Sequence, residues 1–577
     1  MQLQPTLAPR LRPVAVAAIV SLLAGACGSS TVNPSVPVQS GSASIPSASV
    51  NANLPRACEL ATSTPPAEPA AWWRDRVFYE VFVRSFADSD GDGIGDLRGL
   101  IQRLDYLNDG NPATTSDLGV TALWLMPVAE SPSYYGYDVT DYKAIEKDYG
   151  TADDFRALMA AAHARGIDVI VDLVLNHTSI DHPWFQDSRT PGSKHDDWYV
   201  WSTERPTFGG PGGLPVWHKD GDRWYYAYFW EGMPDLNLRN PEVTAALDDV
   251  SHFWLNDLGV DGFRLDAARH LIEDGETLQN TPETFAWLAG FRERVHTDKP
   301  QALVLGEVYD ATTMSSRYVR EGSLDLSFEF GLAGATIDAI RSSDAASLRA
   351  AQQKVADSYP PGGVATFLTN HDQDRVADQL ESDPAAEKLA AALLLTGQGV
   401  PFIYYGEEIG MTGQKPDERI RTPMRWDGKE ANAGFSSATP WEAPSDDPQG
   451  TDVATESLDP SSLVASYRTL VQLRDAHPAL SHGDWTPIDS SAPAVLAYLR
   501  RAGGESVLVV SNLGDQLVDD VALSLASGPL CGRPSAKVLL GTSQVRPPVI
   551  TPTGGFDGYV PVDRLAARGT IAITLAP

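Results

Sequence analysis

From Arg76 onward the chain alternates two patterns of apolar residues. Short continuous apolar runs read as strands buried on both faces: 76–86 ("RVFYEVFVRSF"), 121–128, 168–176 ("DVIVDLVLN"), 262–268 ("GFRLDAA"), 302–308, 327–331, 364–370 and 401–408. Between them apolar residues recur every three or four positions, the period of a helix with one buried face. The stretch "TADDFRALMAAAHARG" opens on Thr151, with Asp154 three positions later as a reciprocal cap, and closes at Gly166. "PEVTAALDDVSHFWLNDLG" and "TPETFAWLAGFRERV" have the same character. Buried strands alternating with helices predict a parallel sheet, and eight such units predict a (β/α)8 TIM barrel rather than an open sheet.

Two segments depart from this rhythm. After the third strand the chain runs through a stretch rich in Trp, Tyr, Gly and Pro before the fourth strand begins, which predicts a small inserted domain over 177–235. The barrel then comprises 71–176 and 236–480. From 481 to 577 short strands and turns follow one another, as in an all-β sandwich domain.

The N-terminus reads as targeting sequence. Arg10 and Arg12 precede an apolar run, Val14 to Ala26, that is too short to span a bilayer. The run ends "LLAGAC", similar to a bacterial lipoprotein signal. Residues 1–26 are then a signal peptide, Cys27 is the lipidated residue, and 27–70, rich in Ser and Pro, is a tether with too few apolar residues to form a core. Ordinary secretion after Ala26 is the alternative. The lipoprotein reading places the protein at the outer face of a bacterial membrane, held only by its lipid. Of the three cysteines, Cys58 and Cys531 remain, either paired as a disulfide or as two thiols. The net charge of −32 disfavours nucleic acid and anionic membrane as partners.

Chemistry in such a barrel sits at the C-terminal ends of the strands. There the third strand carries Asp172, Asn176 and His177, the fourth Arg264 and Asp266, the fifth Glu307, and the seventh His371 and Asp372. Arg264 and Asp266 stand two apart and so share a face, their Cα atoms roughly 7 Å apart. Carboxylates converging with one arginine suit glycoside cleavage with retention: one ionised carboxylate as nucleophile, a second, protonated, as acid, about 5–5.5 Å apart. Arg264 beside Asp266 favours the ionised nucleophile, and Glu307 among other carboxylates favours the protonated acid.

At "DLVLNH", "GFRLDAARH", "GEV" and "TNHDQ", in that order, the sequence resembles the α-amylase family, glycoside hydrolase family 13. The resemblance implies Asp266 as nucleophile, Glu307 as acid/base and Asp372 as transition-state stabiliser. It places His177, Arg264, His371 and the stacking Tyr137 around the attacked sugar, with Arg269 and His270 on the leaving-group side. "MPDLN" (233–237) is similar to the fifth region of a group between the oligo-1,6-glucosidases and the neopullulanases, and "RTPMRWD" carries Arg425 where Gln is more usual. Ala267 after the nucleophile goes with α-1,4 bonds, where Val goes with α-1,6. Tyr134 stands where exo-acting α-glucosidases carry an Asp, so its ring is expected to stack on a further sugar and leave the cleft open.

"DSDGDGIGD" (88–96) alternates Asp and Gly like half of an EF-hand loop, but position twelve is Gly99 rather than Glu. The resemblance implies a calcium loop using Asp88, Asp90, Asp92, the Ile94 carbonyl and Asp96, and a second calcium site that includes Asn176. The expected function is a monomeric, surface-anchored α-amylase acting on starch-like glucans and maltooligosaccharides. An oligosaccharide α-glucosidase or a transglycosylase such as a trehalose-forming isomerase is the alternative enzyme. A non-catalytic glucan-binding lipoprotein is the alternative of another class.

Overall fold

The computed structural model describes residues 71–541 and 544–576; the signal, Cys27, the tether and Cys58 lie outside the described residues. Eight parallel strands close into a barrel: β1 (Phe78–Val81), β2 (Ala122–Leu125), β3 (Asp168–Leu173), β4 (Gly262–Leu265), β5 (Leu303–Gly306), β6 (Leu326–Phe328), β7 (Val364–Phe367) and β8 (Val400–Tyr404). Each pairs with its sequence neighbours, and β8 closes on β1 with Phe78 opposite Phe402. Phe78, Trp124, Ile170, Leu305, Phe328 and Phe402 fill the interior.

Every strand is shorter than its apolar run. The expected strand 76–86 ends at Val81 and continues as a short helix, Val83–Phe86, whose residues are all buried. The run 327–331 likewise passes into the helix Phe330–Ser342. The chain beyond the strand ends is packed under other loops, so its residues are apolar without being extended. The Thr151 cap forms as expected: Thr151 Oγ1 accepts from Asp154 N at 3.2 Å, Asp154 Oδ2 accepts from Thr151 N at 2.9 Å, and the helix Ala152–His163 follows.

The insertion after β3 holds a three-stranded antiparallel sheet, with Arg223–Tyr226 between Trp201–Ser202 and Trp217–Asp220. Its exit and return are tied: His177 bridges to Asp235, and Leu236 N donates to Asn176 O at 2.9 Å. The C-terminal region is antiparallel β, with seven strands in one order and a two-stranded pair beside them. Asp484–Ser490 changes partner along its length, from Val495–Ala502 to Leu523–Leu525, carrying the sheet around a core that includes Leu499, Val510 and Ile573. Cys531 in this domain is disulfide-bonded.

Two buried arginines join this domain to the barrel. Arg474 donates to the carbonyls of Leu395, Gly397, Gly399 and Ser481, and Arg500 to those of Thr396, Gly397 and Gly483. Burial pulls the two guanidinium groups down to about 9 and about 10.

Candidate active site

Arg264 occupies the centre of the barrel mouth and is fully buried. Its register opposite Asp172 on β3 and Leu305 on β5 directs it inward over the Trp124 ring, 5.2 Å away. Nη1 donates to both oxygens of Asp172 at 2.9 Å and to Asp266 Oδ1 at 2.8 Å; Nη2 donates to Glu307 Oε2 at 2.8 Å. Asp266 follows the end of β4, and the next residue, Ala267, turns into the left-handed region at φ 50°. That conformation is costly for alanine, roughly 1–2 kcal/mol. It aims Ala267 N at Glu307 Oε2, 3.2 Å away.

The second half of the site is built on β7 and β1. His371 Nδ1 lies 2.6 Å from Glu80 Oε1, and Nε2 lies 2.8 Å from Tyr137 Oη and 3.4 Å from Asp372 Oδ2. Tyr137 Oη donates to Asp172 Oδ2 at 3.0 Å, so the two halves share one hydrogen-bonded chain. Arg421 Nη2 donates to Asp372 Oδ1 at 2.9 Å and to Asp417 Oδ2 at 3.2 Å, while Nε donates to the His371 carbonyl.

One guanidinium cannot neutralise three carboxylates. Burial pushes Asp172 up to about 7 against the pull of Arg264. Burial also raises Asp266 and Glu307 above the usual carboxylate range, with Arg264 opposing in both. Arg264 does favour the ionised form of Asp266, by charge and by hydrogen bond, but burial outweighs it. The neighbours still differ. Asp266 faces two cations, Arg264 and His371, and two anions, Asp372 and Asp172, whereas Glu307 faces one cation, Arg264, and two anions, Asp266 and Asp372. The proton is favoured on Glu307. At Asp372 burial acts upward, but His371, Arg421 and Lys415 outweigh it and hold the carboxyl well below its usual range.

Burial lowers His177 to about 4, and its Nε2 is buried with no protein partner. His270 is lowered to about 3 by burial and by Arg269. A neutral His270 places its proton on Nδ1, donating to Leu278 O at 3.1 Å, and accepts from Arg269 Nε on Nε2 at 3.0 Å. Phe229, from the insertion, meets His177 and His270 edge-on at 5.2 and 5.9 Å. It is half-exposed and walls the cleft between the two groups.

The structure thus brings Tyr137, Asp172, Arg264, Asp266, Glu307, His371 and Asp372 together, with His177, Arg269 and His270 flanking through the insertion. Sequence reasoning missed Glu80 and Arg421. Both carried a signal: a charged residue inside the apolar run of β1, and the first arginine of "RTPMRWD". Arg425 of that motif instead donates to the carbonyls of Thr451 and Ser445, holding a loop. Tyr134 stacks on Trp441, ring centroids 5.0 Å apart.

In the 88–96 loop, carboxylate oxygens of Asp88, Asp90 and Asp96 lie within 4.8 Å of one another. An all-oxygen set of hard donors suits a divalent cation such as calcium. Asp92 is not in this group; it accepts from Ile94 N at 2.8 Å, and burial raises it. Asp96 also caps the helix Leu97–Leu107 by accepting from Gly99 N, so the loop and the first barrel helix are mechanically linked. At Asn176, expected at the second calcium site, Nδ2 donates to Asp235 Oδ2 at 2.8 Å, and Oδ1 is buried without a protein partner.

Comparison with known proteins agrees with this geometry. Residues 80–483 match the family described as the alpha-amylase catalytic domain. Alpha-amylase 3 of Dictyoglomus thermophilum is 39% identical over 449 residues, covering 77% of this chain and 85% of that protein. A trehalose synthase/amylase of Mycobacterium tuberculosis is 36% identical over 513 residues, 78% and 83% of the two chains. The crystal structure of alpha-amylase from H. orenii superposes with a TM-score of 0.73 at 38% identity, covering 87% of this chain and 99% of that one.

Proposed function

The chain belongs to the α-amylase family, glycoside hydrolase family 13, and within that family of glycosidases and transglycosidases we propose that it hydrolyses internal α-1,4 bonds of starch-like glucans with retention. The observation that carries the mechanism is Arg264 donating to Asp266 through one terminal nitrogen and to Glu307 through the other. Two carboxylates bridged by one guanidinium fit the short separation, about 5–5.5 Å, of retaining enzymes. Glu307 gives its proton to the glycosidic oxygen as Asp266 attacks the anomeric carbon, and the leaving chain departs. Glu307 then takes a proton from water, which releases the sugar from Asp266. Asp372, held ionised by His371 and Arg421, stabilises positive charge developing on the ring. His177 offers its unpartnered Nε2 to a sugar hydroxyl.

Two features support an open, α-1,4-specific cleft: Ala267 after the nucleophile, and Tyr134 where exo-acting relatives carry an acid. Soluble starch and maltotetraose are expected to be turned over much faster than maltose or isomaltose, with short maltooligosaccharides as the chromatographic products. Glucose as the sole product, or isomaltose cleaved faster than maltotetraose, would replace this reading by an α-glucosidase. Transfer to form trehalose is the second reading, favoured by the likeness to the trehalose synthase/amylase; trehalose appearing from maltose would establish it.

We further propose calcium at Asp88, Asp90 and Asp96, with a structural role through the cap of Leu97–Leu107. Chelator is expected to lower the melting temperature by several degrees and calcium to restore it, since metal bound only by the folded state stabilises it. An unchanged melting curve, with no metal by elemental analysis, would oppose this. Anchoring through Cys27 is proposed on the signal pattern alone, as is a location at the cell surface; mass spectrometry of the mature N-terminus decides it.

A further inference from the structure

Glu80 is a carboxylate buried inside β1, and burying such a group is costly unless a cation or a donor meets it. Phe78 fills the barrel interior. Glu80, two residues on, shares that face one layer nearer the mouth, opposite Trp124 on β2 and Tyr404 on β8. Its Oε1 lies 2.6 Å from His371 Nδ1, and the two side chains are 2% and 1% exposed. We infer, on the reading of Asp266 as nucleophile, that Glu80 is a positioning residue for the cleavage: it keeps His371 protonated on both nitrogens, and through that charge it favours the ionised form of Asp266.

The protons of the hydrogen-bonded chain can be counted. Tyr137 has one hydroxyl proton and donates it to Asp172 Oδ2 at 3.0 Å. Its oxygen then accepts from His371 Nε2, 2.8 Å away, and Asp372 Oδ2, 3.4 Å from the same nitrogen, is an acceptor as well. Nε2 therefore carries a proton. Nδ1 faces the Glu80 carboxylate at 2.6 Å and carries another. An imidazole with N–H on both sides is an imidazolium. Burial alone favours the neutral ring, as at His177, which it lowers to about 4. At His371 burial also acts downward, but Asp372 and Glu80 outweigh it against the opposing Arg421, and the ring is raised above its usual range. The groups around it come from every side of the mouth: Glu80 from β1, Tyr137 from beyond β2, Asp172 from β3, Asp266 from β4, Asp372 from beyond β7 and Arg421 from beyond β8.

This charge is felt unequally by the two catalytic carboxylates. Asp266 has both Arg264 and His371 as cations, whereas Glu307 has Arg264. A neutral His371 would leave each carboxylate with the same single cation and draw the proton toward Asp266, the arrangement that cannot react. Glutamine at position 80 has the shape of glutamate and an oxygen that accepts from Nδ1, but no charge. Buried among the same neighbours, His371 should then lose its second proton, and Asp266 should hold a proton more tightly.

Nitrogen-15 NMR of the full chain with ring-labelled histidine reads the charge directly, the His371 signals being assigned by their loss in His371→Asn. Both His371 nitrogens should be protonated at neutral pH in the parent. In Glu80→Gln the ring should titrate at least about one pH unit lower. The acidic limb of kcat/KM on maltotetraose, which reports ionisation of the nucleophile in the free enzyme, should move up by roughly one unit in the same variant. The sign is decisive. If His371 kept its proton without Glu80, the lost anion would move that limb down instead. A His371 that is neutral at neutral pH in the parent, or a limb that stays in place or moves down in Glu80→Gln, overturns the inference. The parent spectrum decides even should Glu80→Gln fail to fold. A parent that does not cleave maltotetraose strikes the substrate reading and leaves the spectra to decide the role of Glu80.

Discussion

Asp266→Asn is expected to lower kcat on maltooligosaccharides by roughly 10⁴-fold or more, the scale of losing a catalytic nucleophile. The substitution is isosteric, and its carbonyl oxygen can still accept from Arg264 Nη1, which now donates to Asp266 Oδ1 at 2.8 Å. It also removes one of three carboxylates crowding a single guanidinium. The fold should therefore survive, with a melting temperature equal to or above the parent's. Glu307→Gln should be comparably inactive, because the amide keeps the hydrogen bond from Arg264 Nη2 but has no proton to give. An Asp266→Asn enzyme with turnover near the parent's would remove the nucleophile from the mechanism.

Arg264→Leu should lose activity and also stability, and the second loss distinguishes it from Asp266→Asn. Arg264 and the Asp172 side chain are 1% and 0% exposed. Removing one partner of such a pair leaves buried carboxylates uncompensated, at about 3–5 kcal/mol. A fall in melting temperature of roughly 3–5 °C is expected from that cost in a folded unit of this size. The deficit should depend on pH with a definite sign. Asp172, Asp266 and Glu307 already bind protons above their ordinary range when folded, and losing Arg264 raises them further. Such groups stabilise the fold where they are protonated, and that stability drains away as pH rises from the unfolded pKa values near 4 through the raised folded ones. The Arg264→Leu variant should accordingly approach the parent in stability below about pH 4 and fall furthest behind it at neutral pH and above. A deficit that stayed constant with pH would mean that the cavity, not the charges, is responsible. Arg264→Lys should not rescue activity, because an ammonium cannot replace the fork that reaches Asp266 and Glu307 through separate nitrogens.

The barrel was legible because its periodicity is strong: eight apolar runs at strand positions, and helices that begin at caps such as Thr151 and Asp154. The ends were not. Residues such as Val83, Phe86 and Leu175 are apolar because loops bury them, and composition alone does not separate a buried loop from a strand. At the site, Arg264 and its carboxylates were legible because charge at the end of an apolar strand is conspicuous. Glu80 was equally conspicuous inside the first run, but its role depends on β1 closing against β8 and lying beneath His371, a contact 291 residues distant. Arg421 was hidden for the same reason: it reaches Asp372 across a loop whose path no local pattern specifies. In the 88–96 loop the alternating Asp residues were legible as a cluster, and Asp88, Asp90 and Asp96 bring carboxylate oxygens within 4.8 Å of one another.

The central claim is that Asp266 and Glu307, bridged by Arg264, cleave an α-glucosidic bond by double displacement. The anomeric configuration of the first product tests this most directly. Proton NMR during the first turnovers of maltoheptaose should show new reducing ends in the α-form, relaxing later toward the β-form by mutarotation. New reducing ends appearing first in the β-form would mean a single displacement by water, and would contradict the assignment of Asp266 as nucleophile.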